Sequence, residues 1–291
     1  MRWTPGGTSG DIEDRRDSSG GGFGFGGGGF GGMHLGIGGA LLLLVLSLVF
    51  RTNLFTLFSG GGAPTQSVGT ADRSRDAAEG PSVQFVSFVL DDAQNTWDQI
   101  LPQQTGRQYR HAKLVLFRDG VDSACGMAGS ATGPFYCPLD EKVYLDLSFF
   151  DELKQRFGAP GEFAQAYVVA HEIGHHVQKI LGIEQKVSNL RQQDPRLQNP
   201  LSVRLELQAD CLAGVWGHST QQRNIIDQSD IADGLHAAAA IGDDRLQRMA
   251  SGRVSPDSFT HGSSAQRMEW FRRGLDQGEV SACNTFNQSG Q

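Results

Sequence analysis

The sequence predicts an α+β domain of about 209 residues, Val83 to Gln291, in which a small sheet is followed by a mainly helical part. Three observations predict it. Three short extended runs fall between residues 111 and 147, and beyond residue 148 the apolar period changes from two to between three and four. Glycine is crowded at the front: of 39, 13 lie in the first 32 residues and 19 in the first 62, so the remainder has an ordinary glycine content. Hydrophobic residues make up 38% of the chain and cluster, which excludes disorder throughout.

Taken in order, residues 1–32 read as a disordered Gly-rich head, because residues 20–32 are nearly all Gly and Phe. They have no collagen period and too few aliphatics to offset their chain entropy. Met33 to Phe50 (MHLGIGGALLLLVLSLVF) is 18 residues without an acid or strong base. A helix of that length rises about 27 Å, near the hydrocarbon thickness, so the run is expected to be a single transmembrane signal anchor. Arg2, Arg15 and Arg16 precede it and Arg51 alone follows closely. The positive-inside bias then puts the head in the cytoplasm and the body outside, a single-pass membrane protein with a periplasmic or extracytoplasmic domain. Residues 51–82 are small and polar, with Pro64 and Pro81, and read as a linker.

In the body, Asp91 or Asp92 is expected to cap a helix that runs to about Leu101, before Pro102. His111–Phe117 alternates as a strand and Asp119-Gly120 signals a turn. Gly133–Cys137 and Lys142–Leu147 are two further strands, with Pro138–Glu141 as the turn between them. Ser148 starts a helix over Phe149–Phe157, and residues 158–161 break the chain. A long helix spans Glu162 to Leu181, stopped by Gly182. Others are expected over Pro200–Gly217, within 229–250, and over Ser264–Leu275.

Four cysteines allow three connectivities. Cys125 and Cys137 sit close together in a strand-loop-strand stretch and are expected to pair, which leaves Cys211 with Cys283. Disulfides suit an oxidising compartment. The balance of 25 basic and 32 acidic residues gives a net charge of −7 with no Lys/Arg-rich run, which argues against a nucleic-acid partner.

The chemistry is concentrated in His171-Glu172-Ile173-Gly174-His175 on the long helix. Four residues at 100° each bring His171 and His175 to one face, a turn apart, where both imidazoles can reach one ion. Glu172 stands one step round, able to reach a water on that ion. Val168, Val169, Ala170, Ile173 and Val177 surround them, and polar groups in such a setting need partners. A catalytic zinc site needs a third protein ligand. A third histidine six residues on would fall at Leu181, and Gln178 stands where that pattern needs glycine. Glu206 fits better: it shares a helix face with Asp210, so Glu206 can ligate and Asp210 can accept the free ring N–H of a ligand histidine. His218, His236 and His261 are the rival third ligands.

With these residues in view, the chain resembles the gluzincin metallopeptidases, and more closely the bacterial family of membrane-anchored neutral zinc metallopeptidases. The resemblance runs through EDRR at Glu13–Arg16, GPFYCP at Gly133–Pro138, VYLDLSFF at Val143–Phe150 and AHEIGHHVQ at Ala170–Gln178. It continues in ELQADCLAGVW at Glu206–Trp216 and FTHGSSAQRMEWF at Phe259–Phe271. It implies a zincin-like domain holding one Zn²⁺ on His171, His175 and Glu206, with Glu172 catalytic. The expected reaction is hydrolysis of a peptide or protein substrate by a zinc-activated water, with Glu172 as general base. A donor to the developing oxyanion is also needed; His261 is the first candidate and Tyr167 the second. The strand at Gly133–Cys137 could take an extended peptide along its edge. A zinc-holding scaffold without turnover and a hydrolase of non-peptide amides are the competing readings.

Overall fold

The computed structural model describes residues 1–17 and 71–286. The expected transmembrane run 33–50, most of the Gly-rich head and the linker to residue 70 lie outside them. Among the described residues no helix is long and apolar enough to cross a membrane.

The domain is α+β and mostly helical. Its sheet runs in the order β1-β2-β6-β5, from β1 (Ile12–Asp14), β2 (Lys113–Phe117), β5 (Phe135–Cys137) and β6 (Lys142–Asp146). β1 and β6 both flank β2 in parallel, and β5 returns antiparallel to β6 across the turn expected at 138–141. β3 (Gly120–Ser123) and β4 (Gly126–Gly129) form a separate hairpin that the sequence reading missed. The alternation in β2 and β6 divides two faces. Leu114, Leu116, Val143 and Leu145 join the main helical core, while Val115, Phe117 and Tyr144 form a small cluster with Val121 and Cys137. The disulfides are Cys125–Cys137, whose Cys137 belongs to this cluster, and Cys211–Cys283.

Eight helices among the described residues cover the other face. They are α1 (Ala71–Thr105), α2 (Ser148–Gln155), α3 (Glu162–Leu181), α4 (Ile183–Gln193), α5 (Gln198–Gln222), α6 (Gln228–Ala240), α7 (Asp243–Ser251) and α8 (Ser264–Gln277). α3 has the expected bounds, ended by Gly182 in the left-handed region at φ 72°, where its amide reaches the carbonyls of Gln178 and Lys179. α3 packs against α1, α5 and α6, and touches β5 and β6.

Two expectations are corrected. The domain does not begin at Val83: α1 starts at Ala71 and contains both Pro81 and Pro102. Val86, Leu90, Ala93, Trp97 and Leu101, each at most 1% exposed, form a helical stripe whose burial outweighs the hydrogen bonds the prolines cannot donate. Residues 1–17 are not part of a disordered head either. Ile12, Glu13 and Asp14 pair in register with Leu114, Val115 and Leu116, and the Trp3 ring packs 5.3 Å from that of Phe85. Glycine crowding begins only at Gly20, after this stretch ends.

Candidate metal centre

Two helices build the centre. α3 presents His171 and His175 one turn apart, their rings 4.9 Å between centroids. α5 crosses it and brings up Glu206, whose carboxylate oxygens lie 3.2 Å from His171 Nε2 and 3.5 Å from His175 Nε2. The approach depends on Gly174, between the histidines: a Cβ there would stand 2.9 Å from the Ala209 carbonyl oxygen and 3.1 Å from its Cα. One donor atom from each of His171, His175 and Glu206 lies within 4.8 Å of the others, the one such group of metal-ligating side chains among the described residues.

The ring nitrogens that face away are occupied. His171 Nδ1 donates to Asp210 Oδ1 at 2.8 Å, and His175 Nδ1 donates to Gln178 Oε1 at 2.9 Å. Both Nε2 atoms are thereby turned toward Glu206, and His171 Nε2 becomes a ligand atom once its proton is displaced. Two imidazoles in the correct tautomer and one carboxylate make the donor set of a catalytic zinc site with a position left for water. The residues present therefore fit the metal.

Behind each histidine stands a buried polar network. Asp210 is fully buried and accepts from Arg267 Nε and Nη2, both at 2.9 Å, and from the Tyr167 hydroxyl. Burial opposes the charge on Asp210, but Arg267 and His171 hold its carboxyl below the usual range. Arg267 is held above its ordinary value by Asp210 despite its own burial. Behind His175, Gln178 donates to the Leu205 carbonyl at 2.7 Å and to Gln208 Oε1 at 3.1 Å. Gln208 in turn donates to the Cys283 carbonyl at 2.9 Å, so the Cys211–Cys283 bond closes this second network.

Electrostatically, the centre is a carboxylate between two imidazoles. Burial works against the charge on Glu206, yet His175 and His171 hold its carboxyl far below the ordinary range. Burial would depress His171, but Asp210 and Glu206 push it up to about 10. Glu172 is 7% exposed, and burial raises its carboxyl while the neighbouring histidines pull it down.

His261 lies in the loop between α7 and α8. Asp243 clamps that loop by accepting from the backbone amides of Thr260, His261 and Gly262 at 2.7, 2.6 and 3.0 Å, and from His261 Nδ1 at 3.1 Å. Gly262 lies against Val203 and Leu207 of α5, the helix that carries Glu206, and half of the His261 side chain is exposed, within electrostatic reach of Glu206. Tyr167 fits the donor role poorly: it is 0% exposed and its hydroxyl is committed to Asp210. His176 is set apart, its Nε2 donating to the Arg110 carbonyl at 2.6 Å and its Nδ1 accepting from the Tyr136 hydroxyl at 2.9 Å. Of the rival ligands, His218 donates to the Leu275 carbonyl at 2.7 Å, and His236 is exposed on α6.

Sequence reasoning missed Gln178 and Arg267. Gln178 had a signal, since three residues beyond His175 is the same helix face. Arg267 had none beyond its place in the Phe259–Phe271 run.

A model of the family described as putative neutral zinc metallopeptidase matches residues 1–286. The chain is 48% identical over 294 residues to the uncharacterized protein YpfJ of Escherichia coli (strain K12), covering 99% of this chain and 100% of that one. It is 43% identical over 202 residues to the uncharacterized protein Mb2605 of Mycobacterium bovis, 66% of each. No solved structure matches.

Proposed function

The chain belongs to the neutral zinc metallopeptidase family, and on that premise we propose that it is a gluzincin-like peptidase, with His171, His175 and Glu206 as zinc ligands. The observation that carries the reading is the convergence of these three side chains within 4.8 Å, with Glu172 on the same helix turn. When bound, zinc supplies Lewis acidity, lowering the pKa of water toward about 7 and polarising the scissile carbonyl.

The chain's own residues do the rest. Glu172 takes the proton of the attacking water and passes it to the leaving amine, a role worth about 10²–10⁴ in rate. Asp210 holds the His171 ring through Nδ1 and is itself held by Arg267 and Tyr167; Gln178 does the same for His175. His261, oriented by Asp243, donates to the carbonyl oxygen as negative charge develops. An extended peptide adds to the free side of β5, the edge strand of the sheet, which packs against the helix that carries the histidines.

The test is Glu172→Gln in cells, with profiling of protein N-termini and elemental analysis of the purified protein. The expected result is an unchanged zinc content and the loss of a set of cleaved N-termini that the wild type produces. Identical profiles from wild type and variant would leave a zinc-holding scaffold and overturn the peptidase.

A further inference from the structure

The two described stretches, which end at Asp17 and resume at Ala71, meet at one cluster of ion pairs. Arg16 Nη1 lies 2.8 Å from Glu79 and 3.9 Å from Asp76. Arg118 joins the two sides, 2.5 Å from Asp76, 2.6 Å from Glu79 and 3.8 Å from Asp17. From Asp76 back to Ala71 is under two helical turns, about 8 Å of axis. The ends of the two described stretches are therefore close on the scale of a bilayer core, about 30 Å thick.

The stretch that ends at Asp17 is built into the domain. Beyond the β1–β2 pairing, Asp11 accepts from Gln94 at 2.8 Å and from Lys113 at 2.7 Å, and Lys142 pairs with Glu13 at 2.6 Å. The Arg2 amide donates to the Ile225 carbonyl at 2.7 Å, and the Met1 amino group to Asp230 at 2.7 Å. Residues 1–17 cannot make these contacts from the far side of a membrane.

We propose that residues 1–17 and 71–286 lie on the same side of the membrane, and that the apolar run 33–50 engages the bilayer from that side without carrying the chain across. One crossing at 33–50 would need a second to bring the chain back, and the chain holds a single run of spanning length and apolarity. Residues 18–32 and 51–70 carry too many Gly and polar residues to be that second span. Opposite-side placement of head and body, as the arginine bias suggests, is thereby replaced by a one-sided membrane contact. The inference is independent of the peptidase reading.

The test uses the full chain with Thr8→Cys in the exposed part of the head, or Met249→Cys on α7, where Met249 is 48% exposed. The four natural cysteines are paired and do not react. A membrane-impermeant maleimide is applied to intact spheroplasts and after lysis. The two sites should behave alike, with intact-to-lysed labelling ratios within twofold of each other. One site labelled in intact spheroplasts and the other only after lysis would overturn the proposal. In parallel, membranes are washed with alkaline carbonate for wild type and for a chain with 33–50 replaced by a Gly/Ser linker of equal length. Wild type should stay in the pellet, and the replacement should move to the supernatant with an unchanged circular dichroism spectrum. A wild type found in the supernatant, or a folded replacement still in the pellet, would equally overturn it.

Discussion

Gly174→Ala tests how the two helices that carry His171, His175 and Glu206 are set against each other. The new Cβ would stand 2.9 Å from the Ala209 carbonyl oxygen, 3.1 Å from its Cα and 3.4 Å from its carbonyl carbon. All three are backbone atoms and cannot rotate away. Reaching an ordinary contact of 3.4 Å requires α3 and α5 to part by about 0.5 Å. Metal–ligand distances tolerate only about 0.2 Å. Glu206 lies one turn before Asp210 on the displaced helix, so the carboxylate moves away from both imidazoles together. Zinc affinity should fall about 10–100-fold, comparable to losing a hydrogen bond that orients a ligand. Stability changes less. Overpacking costs about 1–3 kcal/mol, and alanine returns about 1 kcal/mol of helix propensity. The net loss of 0 to about 2 kcal/mol lowers Tm by at most about 8 °C in a domain of this size. Chelator competition measures the affinity and a thermal melt the stability. Gly80→Ala is the control, since nothing lies within 4 Å of a Cβ there and its backbone is helical. A Gly174→Ala protein that binds zinc within twofold of wild type and melts at the same temperature would refute the reasoning.

Asp210→Asn should cost about 3–5 kcal/mol by leaving the Arg267 guanidinium buried without its carboxylate. Adding Arg267→Met should recover much of that stability in denaturant titrations without recovering zinc affinity; recovery of both would mean that Asp210 does not orient His171. In the metal-free protein His171 is held near 10, so at pH 8 it carries a proton that zinc must displace. Binding at pH 8 should release about one proton and tighten roughly tenfold per unit as pH rises toward 10. Calorimetry in two buffers of different ionisation heat checks this, and equal heats would contradict it. His261→Ala should lower kcat about 10²–10³-fold on a cleaved peptide at unchanged zinc content. An unchanged kcat would remove His261 from the donor role, and lost zinc would make it a structural support instead.

What could be read from the sequence was local in character. His171, Glu172 and His175 declare themselves by helix spacing, Glu206 and Asp210 by the same rule, and Gly182 by its place after an amphipathic run. β5, β6 and the turn between them follow from alternation and Pro138. The features that were missed depend on distant partners. Pro81 and the small residues around it resemble a linker until the core beneath Val86 and Trp97 is seen. Three residues of β1 have no detectable period; their signal is the edge of β2, 102 residues away. Arg267 looks like a surface charge on an amphipathic helix, and only the crossing of α5 and α8 makes it the buried partner of Asp210. Gln178 lies on the expected face, but its role requires the Leu205 carbonyl of another helix.

The pairing of β1 with β2 also sets a timetable for synthesis. Ile12 leaves the ribosome 102 residues ahead of its partner Leu114, and the Met1 amino group 229 residues ahead of Asp230. At roughly 5–20 residues per second, the first strand waits on the order of 5–20 s for β2, and the Met1 contact forms only after more than twice that delay. The apolar run at 33–50 emerges within that interval, before the sheet can close. On the proposed one-sided contact, the bilayer captures the nascent chain before β1 docks on β2, and the domain then folds already tethered.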